Sequence, residues 1–470
     1  MQQKYSLVNN VDTQSLRRPG VLWSGVSTCF AVCLLILTNS SASADLPINL
    51  STTYADPSQV YVTFQTTFPS TFSASYFSNS AKGQVPITVD AKSHLSLSIA
   101  LSDIKDGLIT LKFMNSGLIY ASLGGPLGQK APPDPRNPSD PAYFLPWQNL
   151  AEITYTGAPP DSGDMTSINF FGVPCDVAVS IKQNREIVQQ AGFVESDAVL
   201  IEKLVKLSTT PAEVEIKNSQ AEVVRVLSPV SFGYSTDKSG KHYFATGGYP
   251  TFEAYVKSVH DAHKVTAIKG NLGPGNFNFK SSVDDSLDIV TTGDYGTGVT
   301  YTITIPHDRM LTDGSGIFDY VQSSALYLCP TVARPETGVT VTSTDGTNGK
   351  SIDAAELAQV LHDVTSGYNF GFINSSTLDP VTNKPFGDEP SSEWFVHSTK
   401  DKLYKHLQPE HPYYNQYSEV IASASHGSVY GFPYADAVPG VTLNTVEYPG
   451  TQPASRVTGW HIVIGPPASL

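Results

Sequence analysis

Charge is scarce in this chain. Only 15% of its 470 residues are Asp, Glu, Lys or Arg, and cysteine occurs four times. Cys29 and Cys33 fall in the first 44 residues, which leaves Cys175 and Cys329 for at most one bridge. A disulfide and two buried thiols both fit that spacing. No CxxC pair, HExxH or GxSxG occurs, so neither a metal site nor a nucleophile elbow has support, and no cofactor is expected. No internal repeat is visible. Basic residues are outnumbered 29 to 43 by acidic ones, for a formal charge of −14. Phosphate backbones and anionic lipid surfaces repel such a chain, which argues against nucleic acid as a partner. What is plentiful is Gly (36) and Pro (33), alongside many Ser and Thr. That balance points to a β-rich, turn-rich exported protein.

The first 44 residues read as an export signal. Arg17 and Arg18 supply the positive region, "FAVCLLIL" (30–37) the apolar centre, and "SASA" (41–44) a small-x-small cleavage site after Ala44. The apolar run is short for a membrane span, so no membrane association is expected after cleavage. Loss of Lys4, Arg17, Arg18 and Asp12 takes the formal charge from −14 to −16. A secreted or periplasmic monomer is the expectation.

From about 45 to 185 the chain alternates apolar and polar residues with period two. "QVYVTFQTTF" (59–68), "LSLSIAL" (95–101), "LITLKF" (108–113) and "DVAVSIK" (176–182) predict strands of an antiparallel sandwich or barrel. "APPDPRNPSDP" (131–141) is a loop, because Pro fixes φ and removes N–H donors. The pattern then changes. Helices are predicted at 196–207, at 251–264 with the stripe Phe252, Tyr255, Val256 and Val259, and at 351–367. The last has Asp353 and Glu356 at capping-box spacing and Gly367 as its C-terminal cap. "VTYTITI" (299–305) lies between helices, and "RVTGWHIVIG" (456–465) returns to strand. A mainly β chain with an α/β insertion follows.

Glu152 is the first candidate for chemistry. Alternation in 150–156 places Leu150, Glu152, Thr154 and Thr156 on one face, with Ala151, Ile153 and Tyr155 toward the core. From spacing alone a solvated surface Glu is the commoner outcome.

Seven segments in order change those odds: "LIYASLGGPL" (118–127), the Pro/Asp loop, "WQNLAEITYTG" (147–157), "SINFFGVPCDV" (167–177), "VVRVLSP" (223–229), "TFEAYVKSV" (251–259) and "YGFPYADAV" (430–438). Together they resemble glycoside hydrolase family 64, the β-1,3-glucanases, from about residue 50 to the end. The resemblance implies a thaumatin-like β-barrel from 45–209 and 411–470, and an α/β domain at 210–410 forming the far wall of a groove. It also implies endo-cleavage of β-1,3-glucan with inversion and without a cofactor. Inversion uses an acid and a base roughly 6.5–9.5 Å apart, with a water between.

The family's acid sits in a Glu-aromatic-Thr motif, here Glu152-Ile153-Thr154. Its base sits in Val-Asp-Phe-Phe-Gly, here Ile168-Asn169-Phe170-Phe171-Gly172. An amide therefore stands where the family carries its second carboxylate. An amide can position water but cannot take its proton near neutral pH. Either Asp161 or Asp164, in the turn "PPDSGD", substitutes as base, or the enzyme is slow, or the groove binds glucan without cutting it. Ordinary turn chemistry is the simpler role for both Asp residues. The resemblance further implies that Thr154 and Asp436 bond sugar hydroxyls, although Ala435 replaces one of two adjacent acids at that motif. Trp147 and Tyr430 are the best-placed ring platforms, each equally open to a core role, while Trp394 and Trp460 are weaker. The alternative to an enzyme is a non-catalytic carbohydrate-binding or cell-envelope protein on the same fold.

Overall fold

The computed structural model describes residues 45–128, 135–140, 142–181, 186–232, 235–236, 242–243, 246–272, 275–313, 316–321, 326–328, 339–348, 354–399, 402–433, 441–451 and 453–467. The leader, Cys329, Asp353, Asp436 and part of the Pro/Asp loop lie outside these residues.

Most of the β structure belongs to one barrel-like sheet of 14 strands, so the fold is mainly β. Its principal strands are β1 (Leu46–Thr52), β2 (Val60–Thr66), β3 (Ile104–Leu123), β4 (Trp147–Tyr155), β5 (Ser162–Thr166), β6 (Cys175–Ile181), β7 (Ile187–Gly192), β8 (Val429–Tyr430) and β9 (Ser455–Ile464). In space the order is β7-β6-β9-β1-β3-β4-β5-β8, with β2 laid along the second half of β3. β3 is the spine. Its first half pairs with β1, and its second half pairs with β2 on one side and β4 on the other. The predicted strand 108–113 is only the start of it.

Alternation buries the expected sides. Val60, Val62 and Phe64, then Val177, Val179 and Ile181, then Trp460, Ile462 and Ile464 are all fully enclosed. The sheet is not wholly antiparallel, however. β1 pairs parallel with β9, and β5 pairs parallel with β8. Both parallel seams join strands far apart in sequence, so no tight hairpin dictates their direction.

A separate antiparallel sheet of five strands spans 266–343. The longer helices are α1 (Asp197–Val205), α2 (Glu253–Asp261), α3 (Ala354–Phe370) and α4 (Gln416–Ser423). The stripe of α2 is buried with Ile268, Phe277 and Phe279 of this second sheet, in a second hydrophobic core. α3 outruns its predicted cap. A Cβ on Gly367 would come 2.6 Å from the Trp394 ring, so this glycine serves close packing, and Gly371, at φ +92°, follows the helix end instead. Among the described residues no helix is long and apolar enough to cross a membrane. Cys175 is a buried free thiol, its Sγ 3.8 Å from the Leu150 carbonyl.

One carboxyl on α3 makes stability depend on pH. Burial raises Asp363 to about 6, against the lowering effect of hydrogen bonds from Ser391 Oγ (2.8 Å) and Gln359 Nε2 (3.3 Å). A raised carboxyl favours the protonated folded state. This contribution is therefore present below about 4 and lost as pH climbs through 6. Asp363→Asn should flatten that window and raise stability at pH 8 by up to about 3 kcal/mol. Urea melts of both proteins at pH 5 and pH 8 measure it, and equal pH dependence in the two would refute it.

Candidate functional site

Glu152 stands on β4 with Leu118 of β3 opposite it on one side and Asp164 of β5 on the other. Directly paired residues share a face, with Cβ atoms about 4.5–5.5 Å apart. Ala151, Ile153 and Tyr155 point into the core as predicted, while Glu152, Thr154 and Thr156 are half-buried. Leu150 departs from the prediction. The β3–β4 register slips between Ile119 and Tyr120, so Asn149 rather than Leu150 opposes Tyr120, and Leu150 is fully buried. A bulge of this kind re-aims a side chain without breaking the strand.

The polar face extends beyond Glu152. Tyr120 donates to Gln65 Oε1 at 2.6 Å, and its hydroxyl is pushed well above the ordinary range, first by burial and then by the charge of Glu152. On the other side, Tyr430 Oη donates to Asp164 Oδ1 at 2.9 Å. Tyr430 is 3% exposed, so it offers no ring face to a sugar and anchors a carboxylate instead. Trp147, 1% exposed, is also core rather than platform. Its ring lies edge-on to Phe170 and under the buried Arg225 guanidinium. Trp394 and Trp460 are buried as well. The Thr154 hydroxyl accepts from Ser116 N at 3.2 Å.

The two turn aspartates separate. Asp161 accepts from Thr156 N (2.5 Å), Thr156 Oγ1 (3.0 Å) and Gly157 N (2.8 Å). Burial raises its carboxyl, against those same bonds. It closes the hairpin turn and is directed at its own backbone, which argues against it as a base. Asp164 is not in the turn at all. Because Asp161 ends the turn early, β5 begins at Ser162 and carries Asp164 to the register of Glu152. Between them lies Gly163, where a Cβ would come 2.5 Å from both the Glu152 carbonyl oxygen and the Trp460 ring. Gly163→Ala should push β5 off β4, costing about 1–3 kcal/mol by overpacking. A thermal melt indistinguishable from wild type would contradict this contact.

Asn169 lies at a bend, and the following strand is only Phe170–Phe171. Its neighbours are both buried, but in different cores, Ile168 in the second and Phe170 in the first. The half-buried Asn169 thus marks the seam between the cores. Its carbonyl accepts from Ser228 N (2.9 Å) and from Ser231 Oγ. The glycine of this motif has a packing role: a Cβ on Gly172 would come 2.5 Å from the Trp147 carbonyl oxygen, and its N–H donates to Gln148 Oε1 at 2.9 Å.

Sequence reasoning missed Tyr120, Gln65 and Asn149. Tyr120 shares the alternation of Leu118, but only the long-range β2–β3–β4 pairing places it beside Glu152. Among the described residues no cluster of His, Cys, Asp and Glu could hold a metal.

Glu152 and Asp164 thus stand side by side on one strand face of a mainly β chain, bordered by hydroxyls and amides. The sequence matches the family model for glycoside hydrolase family 64, β-1,3-glucanase, over residues 34–446, and the chain belongs to that family. In fold it is similar to a laminaripentaose-producing β-1,3-glucanase solved with laminaritetraose, at 14% identity and TM-score 0.52, over 90% of this chain and 99% of that one. It is equally similar to a β-1,3-glucanase domain from Clostridium beijerinckii, at 15% identity and TM-score 0.52, over 91% and 100%. No curated protein matches the sequence.

Proposed function

We propose that this chain is a secreted or periplasmic, monomeric β-1,3-glucan-active protein that cleaves internal linkages with inversion, at a rate held down by the amide at 169. The carrying observation is Glu152, half-exposed on a polar strand face in a chain of family 64. The solved relative holding laminaritetraose supports a linear β-1,3-glucan as the ligand.

Glu152 gives its proton to the leaving glycosidic oxygen. Asp164 sits beside it on the neighbouring strand, at a spacing of about 4.8 Å between strands. An inverting base needs the opposite side of the sugar and a wider gap. That position falls to Asn169, which orients the water. As the water oxygen bonds the anomeric carbon and the glycosidic bond breaks, its proton passes to bulk solvent rather than to a protein base, which is what slows the reaction. Thr154 and Asp436 bond sugar hydroxyls, and residues 210–410 form the far wall of the groove.

The amide at 169 equally favours a second reading, a protein that binds glucan and does not cut it. One experiment separates the two. The purified protein is incubated with a linear β-1,3-glucan while reducing ends and pull-down are followed together. Slow release of reducing ends with binding supports the enzyme, and binding alone supports the second reading. Neither binding nor release removes both.

A further inference from the structure

A cavity of about 240 Å³ lies far along the chain from the polar strand face, among residues 377–406. Its chemistry is of the opposite sign. Apolar side chains of Leu378, Pro380 and Phe386 line one part, and His397, Lys402 and His406 line another. Among the described residues, two buried acids nearby are engaged elsewhere. Asp379, with no exposed surface, accepts from Val381 N (2.6 Å), Thr382 N (3.2 Å) and His397 Nδ1 (2.6 Å). Burial works against its charge, but these three donors outweigh it and hold its carboxyl below the usual range. Glu389 is buried and accepts from Thr382 Oγ1 at 2.5 Å.

The buried Asp379 fixes the ring of His397. With Nδ1 committed to that carboxylate, Nε2 is the nitrogen left to meet a ligand, as in other carboxylate-oriented histidines. Among the described lining residues no nucleophile accompanies the pair. Ser398 Oγ bonds the Trp394 carbonyl, and Thr377 Oγ1 bonds the His406 carbonyl at 2.9 Å. The site is thus built to bind rather than to react.

Size and lining narrow the ligand. Drug-sized ligands occupy pockets of about 300–1,000 Å³, so this one suits a single ring. A pyranose presents apolar C–H faces to groups such as the exposed Leu378 and Pro380. Three cationic or donor groups call for an oxyanion on that ring. Exposed Val381 and Val396, 69% and 62% accessible, extend the apolar surface available nearby. In a chain of formal charge −14, a cavity lined by Lys402 and two imidazoles, with no carboxylate among its described lining residues, favours such a ligand.

We propose that this cavity binds one anionic pyranose unit, carrying a carboxylate or a phosphate, with the oxyanion held by His397 Nε2, His406 and Lys402. Calorimetric titration at pH 6 with glucuronate, glucose 6-phosphate, glucose and inorganic phosphate tests it. Glucuronate or glucose 6-phosphate should bind at least about tenfold more tightly than glucose, and more tightly than phosphate alone. Which of the two anionic sugars prevails identifies the charged group. The double variant K402A/H406A changes exposed residues only, and should weaken that binding at least about tenfold with an unchanged melting temperature. Glu152→Gln should leave it unaltered, so this site can fail or stand independently of glucan cleavage. Equal binding of glucose, phosphate binding as tight as that of the sugars, or anion binding that survives K402A/H406A would each overturn the proposal.

Discussion

Glu152→Gln is expected to lower release of reducing ends from a linear β-1,3-glucan by at least about 10²-fold, the range general-acid catalysis supplies. Gln keeps the length and hydrogen-bonding reach of the side chain but has no proton to give. Leu118 and Asp164 still flank the position, so the strand pairing should be undisturbed. Glucan retained in a pull-down by the variant should match wild type. Loss of binding along with turnover would mean that Glu152 holds the sugar rather than protonates it. Unchanged turnover would place the chemistry elsewhere.

Asn169→Asp is expected to act in the other direction, raising hydrolysis about tenfold or more. The two side chains are nearly isosteric, and the main chain at 169 is held independently of either. Its carbonyl is fixed by Ser228 and Ser231, and Ile168 and Phe170 anchor it on either side in separate cores. The substitution therefore adds a proton acceptor at little structural cost.

The strands that bury one face were legible because period-two alternation is a local signal. "QVYVTFQTTF", "DVAVSIK" and "RVTGWHIVIG" lie on strands, with Val177, Val179 and Ile181 buried on one face. The helix 251–264 was legible for the same reason with a different period. Local signals failed where a second element decides. Nothing near Leu150 announces the register slip against β3 that buries it. Asp164 reads as a turn residue until Asp161 is seen to close the turn three residues earlier. Tyr430 and Trp147 read as platforms because aromatic type is visible in sequence and burial is not. The bend at Asn169 follows from Ile168 and Phe170 serving two cores, a fact of tertiary packing that no local pattern announces.

The most direct measurement is the rate of reducing-end release from a linear β-1,3-glucan by wild type, Asn169→Asp and Asp164→Asn under one set of conditions. If the amide at 169 limits the reaction, wild type is slow, Asn169→Asp is faster by about tenfold or more, and Asp164→Asn is not inactive. A robust wild-type rate that Asn169→Asp leaves unchanged and Asp164→Asn abolishes would contradict it, and would place the base on β5 beside the acid.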